Sequence, residues 1–516
     1  TPHVSARLWD DGDVRNLALM CERIHDQGGL AGVQLWYGSK HTLNYETRVA
    51  PRGVSQVPSD YVPYQSCTTM SKRDIREIQG FYVAAAKRAR LAGFDMINVY
   101  GGHTHPILHQ FLEPFYNKRT DEYGGTLKNR ARMWLETLEM VREAVGDSCA
   151  ISCRFGIDTL RGDVGIKAEE DGIGFVQLAN HLVDLWDFTI GNLEWGEDAG
   201  PSRFFKENFQ RPLVEIVKPH ASKPVVGVGR FTSPDVMVDA IKRGQLDMIG
   251  AARPSIADPF LPKKIEEGRN DDIRECIGCN ICVSRWAIGA ARIACTQNAT
   301  AGEEYRRGWH PERFSRAANA DSNVLVVGAG PAGMECATVL AKRGFGSVHL
   351  VDAAGELGGS LRWIPRLPGF GEWGRVVDYR RVQLDKLKNV EVNLKATLDA
   401  KKVREYGADF VVVATGSRWA EKGINGATHE PIPGADASLP RCLTPEQIMV
   451  EGKRPVGQRV LVYDCDGYYM GGALAEKLAR DGYAVTLVTP LSQISPFTEY
   501  TLELPRIKRT LFGLNV

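Results

Sequence analysis

The 516-residue chain has almost no net charge: 64 lysines and arginines stand against 63 aspartates and glutamates, leaving +1. So balanced a chain generates no field to gather a polyanion, and neither nucleic acid nor an anionic membrane is expected as a partner. It also lacks any apolar run of eighteen or more residues, which removes a membrane-spanning helix. Cysteine is sparse outside one short stretch. Seven of the eleven (21, 67, 149, 153, 336, 442 and 465) are scattered in mostly apolar surroundings. That is no disulfide framework; it predicts reduced core thiols and a cytoplasmic setting. With 43% hydrophobic residues the chain can build sizeable cores, and its length allows roughly two to four domains.

The remaining four cysteines carry the strongest signal. Cys276, Cys279 and Cys282 recur at three-residue intervals, and Cys295 follows shortly after. Three thiolates so spaced fold over one face of a compact cluster, and a fourth arriving by a loop closes the shell of a [4Fe–4S] cubane. A zinc site is the alternative, but two separated Cys-x-x-Cys knuckles would leave the middle cysteine unused. A cluster of this kind moves single electrons, so the reading is a redox enzyme.

From residue 1 to 265, strand-like runs alternate with amphipathic helical stretches, the rhythm of a (β/α)8 TIM barrel. Six strands are visible, at 32–37, 94–100, 150–155, 186–191, 224–229 and 246–251, with helices such as 13–25, 72–92 and 128–145 between them. A closed barrel needs two more, expected upstream of this chain, so the first two strands are read as absent. Residues 266–320 hold the cysteine segment and a polar connection. From 321 to 450 a βαβ pattern carries Gly328-Ala-Gly330-Pro-Ala-Gly333 at its first turn and Asp352 at the end of its second strand. This is the dinucleotide fingerprint: the glycines admit a pyrophosphate to the helix N-terminus and the acid takes a ribose hydroxyl. At 451–516 a second Rossmann-like unit begins, but its turn reads Asp464-Cys-Asp466-Gly-Tyr-Tyr469. Two carboxylates facing a pyrophosphate predict that nicotinamide nucleotides do not bind there.

The order of barrel, cysteine segment, dinucleotide domain and interrupting second domain resembles the trimethylamine dehydrogenase group. These are iron–sulfur flavoprotein amine dehydrogenases allied to old yellow enzyme and 2,4-dienoyl-CoA reductase. The likeness extends over the whole chain, through SARLWDDGDVRNL, YNKRTDEYGG, WGEDAGPSRF, GAARPSIADPFLP, ECIGCNICVSRW and CTQNATAGEEYRRGWHPERF. It implies FMN over the barrel's C-terminal mouth, joined covalently through a region outside this chain, and ADP, not reducible FAD, on the Gly328–Gly333 turn. It also implies a homodimer and an electron-transferring flavoprotein as acceptor. Gly229, Arg230, Ala252 and Arg253 would meet the FMN phosphate, while Gln34 and Arg154 would touch its ring system. Tyr100, His103 and Asp198 would form the hydrogen-bonded set beside the flavin, Asp198 orienting the histidine that tunes the tyrosine.

Trp36, Trp195 and Trp286 match tryptophans that hold a methylated ammonium by cation–π attraction, and Ser5 matches a further pocket residue. The implied reaction is oxidative N-demethylation of trimethylamine to dimethylamine and formaldehyde. Dimethylamine or histamine dehydrogenation, or NAD(P)H-dependent enoyl reduction, are the alternatives. Three departures stand out. The 104–110 loop has one residue more and two extra histidines, which could reshape the pocket mouth. Glu275 and Arg375 replace an apolar residue and a tyrosine at the family's proposed electron-exit surface.

Overall fold

The computed structural model describes residues 6–41, 48–59, 65–192, 199–287 and 291–516, without the side chains of 41, 286 and 287. They fall into two compact units, one of residues up to 200 together with 206–251, the other of 201–205 and 252–516.

In the first unit six parallel strands pair strictly in chain order: β1 (Gly32–Leu35), β2 (Met96–Gly101), β3 (Ala150–Asp158), β4 (Leu185–Ile190), β5 (Val225–Gly227) and β6 (Met248–Ile249). Helices return the chain between strands, among them α1 (Val14–His25), α2 (Lys72–Leu91) and α3 (Leu127–Val145). Strand after strand in sequence order with helical crossovers is the barrel arrangement that the alternating pattern predicts. All six strands lie where expected. β3 runs three residues further, to Asp158, while β5 and β6 are shorter than their apolar runs.

Local chemistry fixes these elements. Ser71 caps α2 by accepting from Asp74 N–H while Asp74 returns the bond, and Thr126 caps α3 through Asn129 N–H. On α2, Ile75, Ile78, Tyr82, Ala86 and Ala89 form the buried stripe. On the strands, Ile97, Val99, Ile151, Cys153 and Phe155 are fully buried. Their alternate neighbours Asn98, Tyr100, Ser152 and Arg154 carry polar atoms and point the other way, as period-two geometry requires. Trp134 on α3 anchors the helix layer, 4.6 Å from the Phe175 ring and 5.8 Å from Phe155. A side chain at Gly101 would overlap the Trp134 indole, so only glycine lets that indole close under the end of β2.

The second unit contains the cysteine segment with α4 (Ile281–Ala287) and a four-stranded parallel sheet. Its strands are β7 (Asn323–Val327), β8 (Ser347–Val351), β9 (Val390–Asn393) and β10 (Phe410–Val413), ordered β9-β8-β7-β10. Helices α5 (Pro331–Lys342) and α6 (Arg375–Asp385) belong to it. A second parallel pair, β11 (Arg459–Tyr463) and β12 (Ala484–Val488), is bridged by α7 (Met470–Arg480). Both Rossmann-like units are therefore present, and the α/β fold class is as expected. Among the described residues no helix is long and apolar enough to cross a membrane.

Trp134 has no exposed surface and three aromatic neighbours. Its replacement by alanine should cost about 3–5 kcal/mol in urea unfolding. A loss under about 1 kcal/mol would mean that the helix layer is held elsewhere.

Candidate active site

Strand register builds the site. Tyr100 on β2 pairs with Arg154 on β3, and Arg154 pairs with Asp187 on β4. The three side chains therefore form one layer across the sheet, with Tyr100 at the C-terminal end of its strand, the end where barrels place their chemistry. The Arg154 guanidinium lies 5.9 Å from the Tyr100 ring centre and 3.7 Å from Asp187. Trp36, just past β1, meets the Tyr100 ring edge-on at 6.5 Å. Gln34 sits one layer deeper, paired with Asn98. Asp187 escaped sequence reasoning because a single acid inside the WDFTIG run reads as a strand interruption. It is half-buried, and desolvation pushes its carboxyl up against the opposing pull of Arg154.

After β2 the chain turns through Gly102 into His103 and Thr104, both left-handed at φ +62°. Two consecutive non-glycine residues in that region are uncommon and concentrate at functional turns. The turn brings His103 Nδ1 onto the Tyr100 hydroxyl. Burial holds the imidazole well below its ordinary value, with Arg154, His105 and His109 adding to the effect. His103 is therefore neutral near pH 7, able to accept or donate across the Tyr100 contact.

Two further expectations concern this unit. Gly229 and Arg230 follow β5 as expected; Arg230 is buried and left-handed at φ +60°. A buried cation at a barrel strand's C-terminal end suits a phosphate. Of the two histidines in the 104–110 loop, one departs from expectation. His109 lies in the helix Ile107–Leu112 with no exposed surface, accepting from Thr104 N–H and donating to Gly156 C=O. It packs in the core against Trp134 and Phe155 and reshapes no pocket mouth. Asp198, Trp195 and Ser5 lie outside the described residues, as does the Trp286 side chain.

In the second unit Cys276, Cys279, Cys282 and Cys295 line a single small cavity, walled also by Ile256, Ile277 and Ile281. Burial pushes the Cys279, Cys282 and Cys295 thiols up to about 11. The donor set suits a cationic inorganic centre, which alone would keep such buried sulfurs as thiolates. Backbone N–H groups of Gly278 and Gln297 approach the sulfurs of Cys276 and Cys295 at 3.4 Å, and the Thr296 hydroxyl lies 3.2 Å from that of Cys279. Among the described residues no three Cys, His, Asp or Glu side chains converge on a point that would hold one metal ion.

The segment is pinned from afar. Asn280 accepts from Arg253 at 2.5 Å and donates to Thr501 C=O, and the Tyr469 hydroxyl donates to Cys279 C=O. Arg253, expected at a phosphate, thus lines the cysteine cavity within its own unit; Ala252 opens its short helix. Glu275 and Arg375, two of the three departures, form an ion pair at 2.8 Å.

The two dinucleotide turns differ. At the first, a side chain on Gly333 would overlap Gly328 C=O, while Gly330 faces open space toward Gly359. That leaves the backbone approach a pyrophosphate needs. Asp352 braces the turn, accepting from Ala329 N–H at 2.6 Å and Ala354 N–H at 2.8 Å. At the second, Asp464 folds back into its own turn and accepts from Asp466 and Gly467 N–H at 3.1 and 3.2 Å. Those are groups that would greet a phosphate, and a carboxylate of the chain already occupies them.

Comparison with known proteins accords with this geometry. Residues 2–272 match the NADH:flavin oxidoreductase / NADH oxidase family, 326–380 a NAD(P)-binding Rossmann-like domain and 443–516 the OYE-like second alpha/beta domain. A dimethylamine dehydrogenase of Hyphomicrobium sp. (strain x) is 50% identical over the whole chain and 71% of its own length. Histamine dehydrogenase from Rhizobium sp. 4-9 superposes with a TM-score of 0.94 at 44% identity, covering 100% of this chain and 74% of that one. 6-Hydroxypseudooxynicotine amine oxidase from Pseudomonas geniculata N1 does so at 0.94 and 45%, covering 99% and 75%. The chain belongs to the NADH:flavin oxidoreductase / NADH oxidase family and is a flavin-dependent oxidoreductase with FMN as its family's cofactor.

Two outcomes follow from the site. Burial holds His109 at about 4, while in an unfolded chain it titrates near its ordinary value. The unfolded state therefore takes up the proton first, and stability falls as pH drops from about 6.5 toward 4. His109→Gln should flatten the pH dependence of the urea midpoint over that window; an unchanged slope would contradict the assignment. With Asp464 seated in its turn, NADH and NADPH should not bleach the flavin anaerobically at a useful rate. Rapid bleaching by NADPH would contradict the filled turn.

Proposed function

We propose that this chain forms the catalytic part of an amine dehydrogenase acting on a small methylated amine, trimethylamine ahead of dimethylamine and histamine. The observation that carries the reading is the layer of Trp36, Tyr100, Arg154 and Asp187 with His103 bonded to Tyr100. It provides an aromatic wall for an alkylammonium beside a neutral acid–base pair. An amine must shed its ammonium proton before its lone pair can assist C–H oxidation, and the Tyr100–His103 pair is the group to take it. Asp198 would orient that histidine, and Ser5, Trp195 and Trp286 would complete the pocket. Loss of two electrons and a proton from an N-methyl group gives an iminium ion, which water splits into dimethylamine and formaldehyde.

When bound, FMN supplies the two-electron acceptor and a [4Fe–4S] cluster the single-electron relay. Gln34, Arg154, Gly229 and Arg230 would hold the flavin, the four cysteines the cluster, and Gly328, Gly330, Gly333 and Asp352 an ADP. An electron-transferring flavoprotein would be the acceptor, and the working form a homodimer. Dimethylamine is a second reading, favoured by 50% identity across the whole chain to a protein of that activity.

Anaerobic mixing of the purified protein with trimethylamine, dimethylamine and histamine, followed by flavin absorbance, tests the ranking. Trimethylamine should reduce the flavin fastest, and Tyr100→Phe should slow that reduction about 100-fold without loss of flavin. Histamine acting about tenfold faster than trimethylamine, or Tyr100→Phe at full speed, would sink the reading.

A further inference from the structure

The second unit holds a cavity of about 630 Å3 that none of the roles above uses. Its walls are the connection after the cysteines, one face of α5 and the facing side of α6. The volume lies in the range that takes a nucleotide-sized molecule. Six cations line it, Arg274, Arg307, Arg313, Lys342, Arg343 and Arg380, against a single carboxylate, Glu335.

Half of this charge is already met. Arg274 faces Glu312, Arg307 pairs with Glu303, and Arg380 with Glu335. Arg313, Lys342 and Arg343 have no carboxylate within ion-pair distance among the described residues. Lys342 reaches the Gln383 amide oxygen and Arg343 the Ser315 carbonyl, each at 3.4 Å. Arg380 is 4% exposed, and its buried Nε has no hydrogen-bond partner. Leaving such a donor unmatched is costly, and an anion in the cavity would offset it. Burial also pulls the Lys342 ammonium down, a cost that a negative ligand would reverse.

The uncharged part of the lining narrows the ligand class. Phe314 lies beneath the Lys342 ammonium at 5.5 Å, and Trp309 beneath Arg307 at 4.9 Å, with 45% of the indole residue exposed. Three cations without an ion-pair partner ask for more than one negative charge, although Glu312 and Glu335 act on Lys342 from further off, and aromatic faces ask for a flat ring. We propose that this cavity binds a nucleoside polyphosphate, with its phosphates on Arg313, Lys342 and Arg343 and its base against Trp309 or Phe314. The cavity runs along α5 from Ala332, inside the glycine-rich turn, to Lys342 and Arg343 about 16 Å away at the helix's other end, and the phosphates are assigned to that far end.

Calorimetric titration of the purified protein with ATP, and separately with inorganic pyrophosphate, tests this. ATP should bind about tenfold more weakly to Lys342→Gln and to Arg313→Gln, and equally well to Lys402→Gln. Arg313 is exposed, so its replacement leaves folding intact. Pyrophosphate should bind about tenfold more weakly than ATP, since it cannot use the aromatic walls. Absence of ATP binding, or ATP binding that both substitutions leave unchanged, would overturn the site. Pyrophosphate binding as tightly as ATP would overturn the nucleoside assignment.

Discussion

Four thiols gathered in one apolar cavity form the constraint on which the second unit depends. Burial raises the proton affinity of Cys279, Cys282 and Cys295, so without a metal centre those three are neutral and gain nothing from being brought together. The chain offsets the crowding with bonds from distant sequence: Thr501 to Asn280, Tyr469 to Cys279, and Arg380 to both the side chain and backbone of Gln297. The N–H groups of Gly278 and Gln297 aim at sulfur. Such donors favour a negatively charged sulfur over a thiol, and tune the potential of whatever centre the sulfurs bind.

The degenerate dinucleotide turn becomes intelligible from the same requirement. Tyr469, which stands at the third position of the glycine fingerprint, packs edge-on against Phe370 and Trp373 and bonds the cysteine loop. A glycine there would lose that brace. Asp464 meanwhile satisfies the turn's own N–H groups. This Rossmann-like unit thus packs onto the cysteine loop, and N–H groups of its turn are met by its own carboxylate.

Much of this was legible beforehand because it is periodic or local. The six barrel strands and the first fingerprint follow from alternation and glycine spacing, and the cysteine set from its intervals. Long-range partnerships were not. Glu275 and Arg375 read as two departures on one surface, and only the structure shows that across 100 residues they form one ion pair. The acids of the second turn were read as repelling a phosphate, whereas Asp464 replaces it. His109 looked like a pocket residue because a loop histidine shows no periodicity, and only the packing of Trp134 and Phe155 reveals it as core. Asp187 could be found only through register, which pairs it with Arg154.

The central claim is that the four cysteines hold an iron–sulfur cluster that receives electrons taken from an amine. Electron paramagnetic resonance of anaerobically purified protein, frozen after addition of trimethylamine, tests it directly when paired with iron and sulfide analysis. The account predicts about four irons and four sulfides per chain and a reduced-cluster signal that appears with the amine and is lost in Cys282→Ser. Stoichiometric zinc without iron, or a cluster that stays oxidised while the amine is consumed, would contradict it.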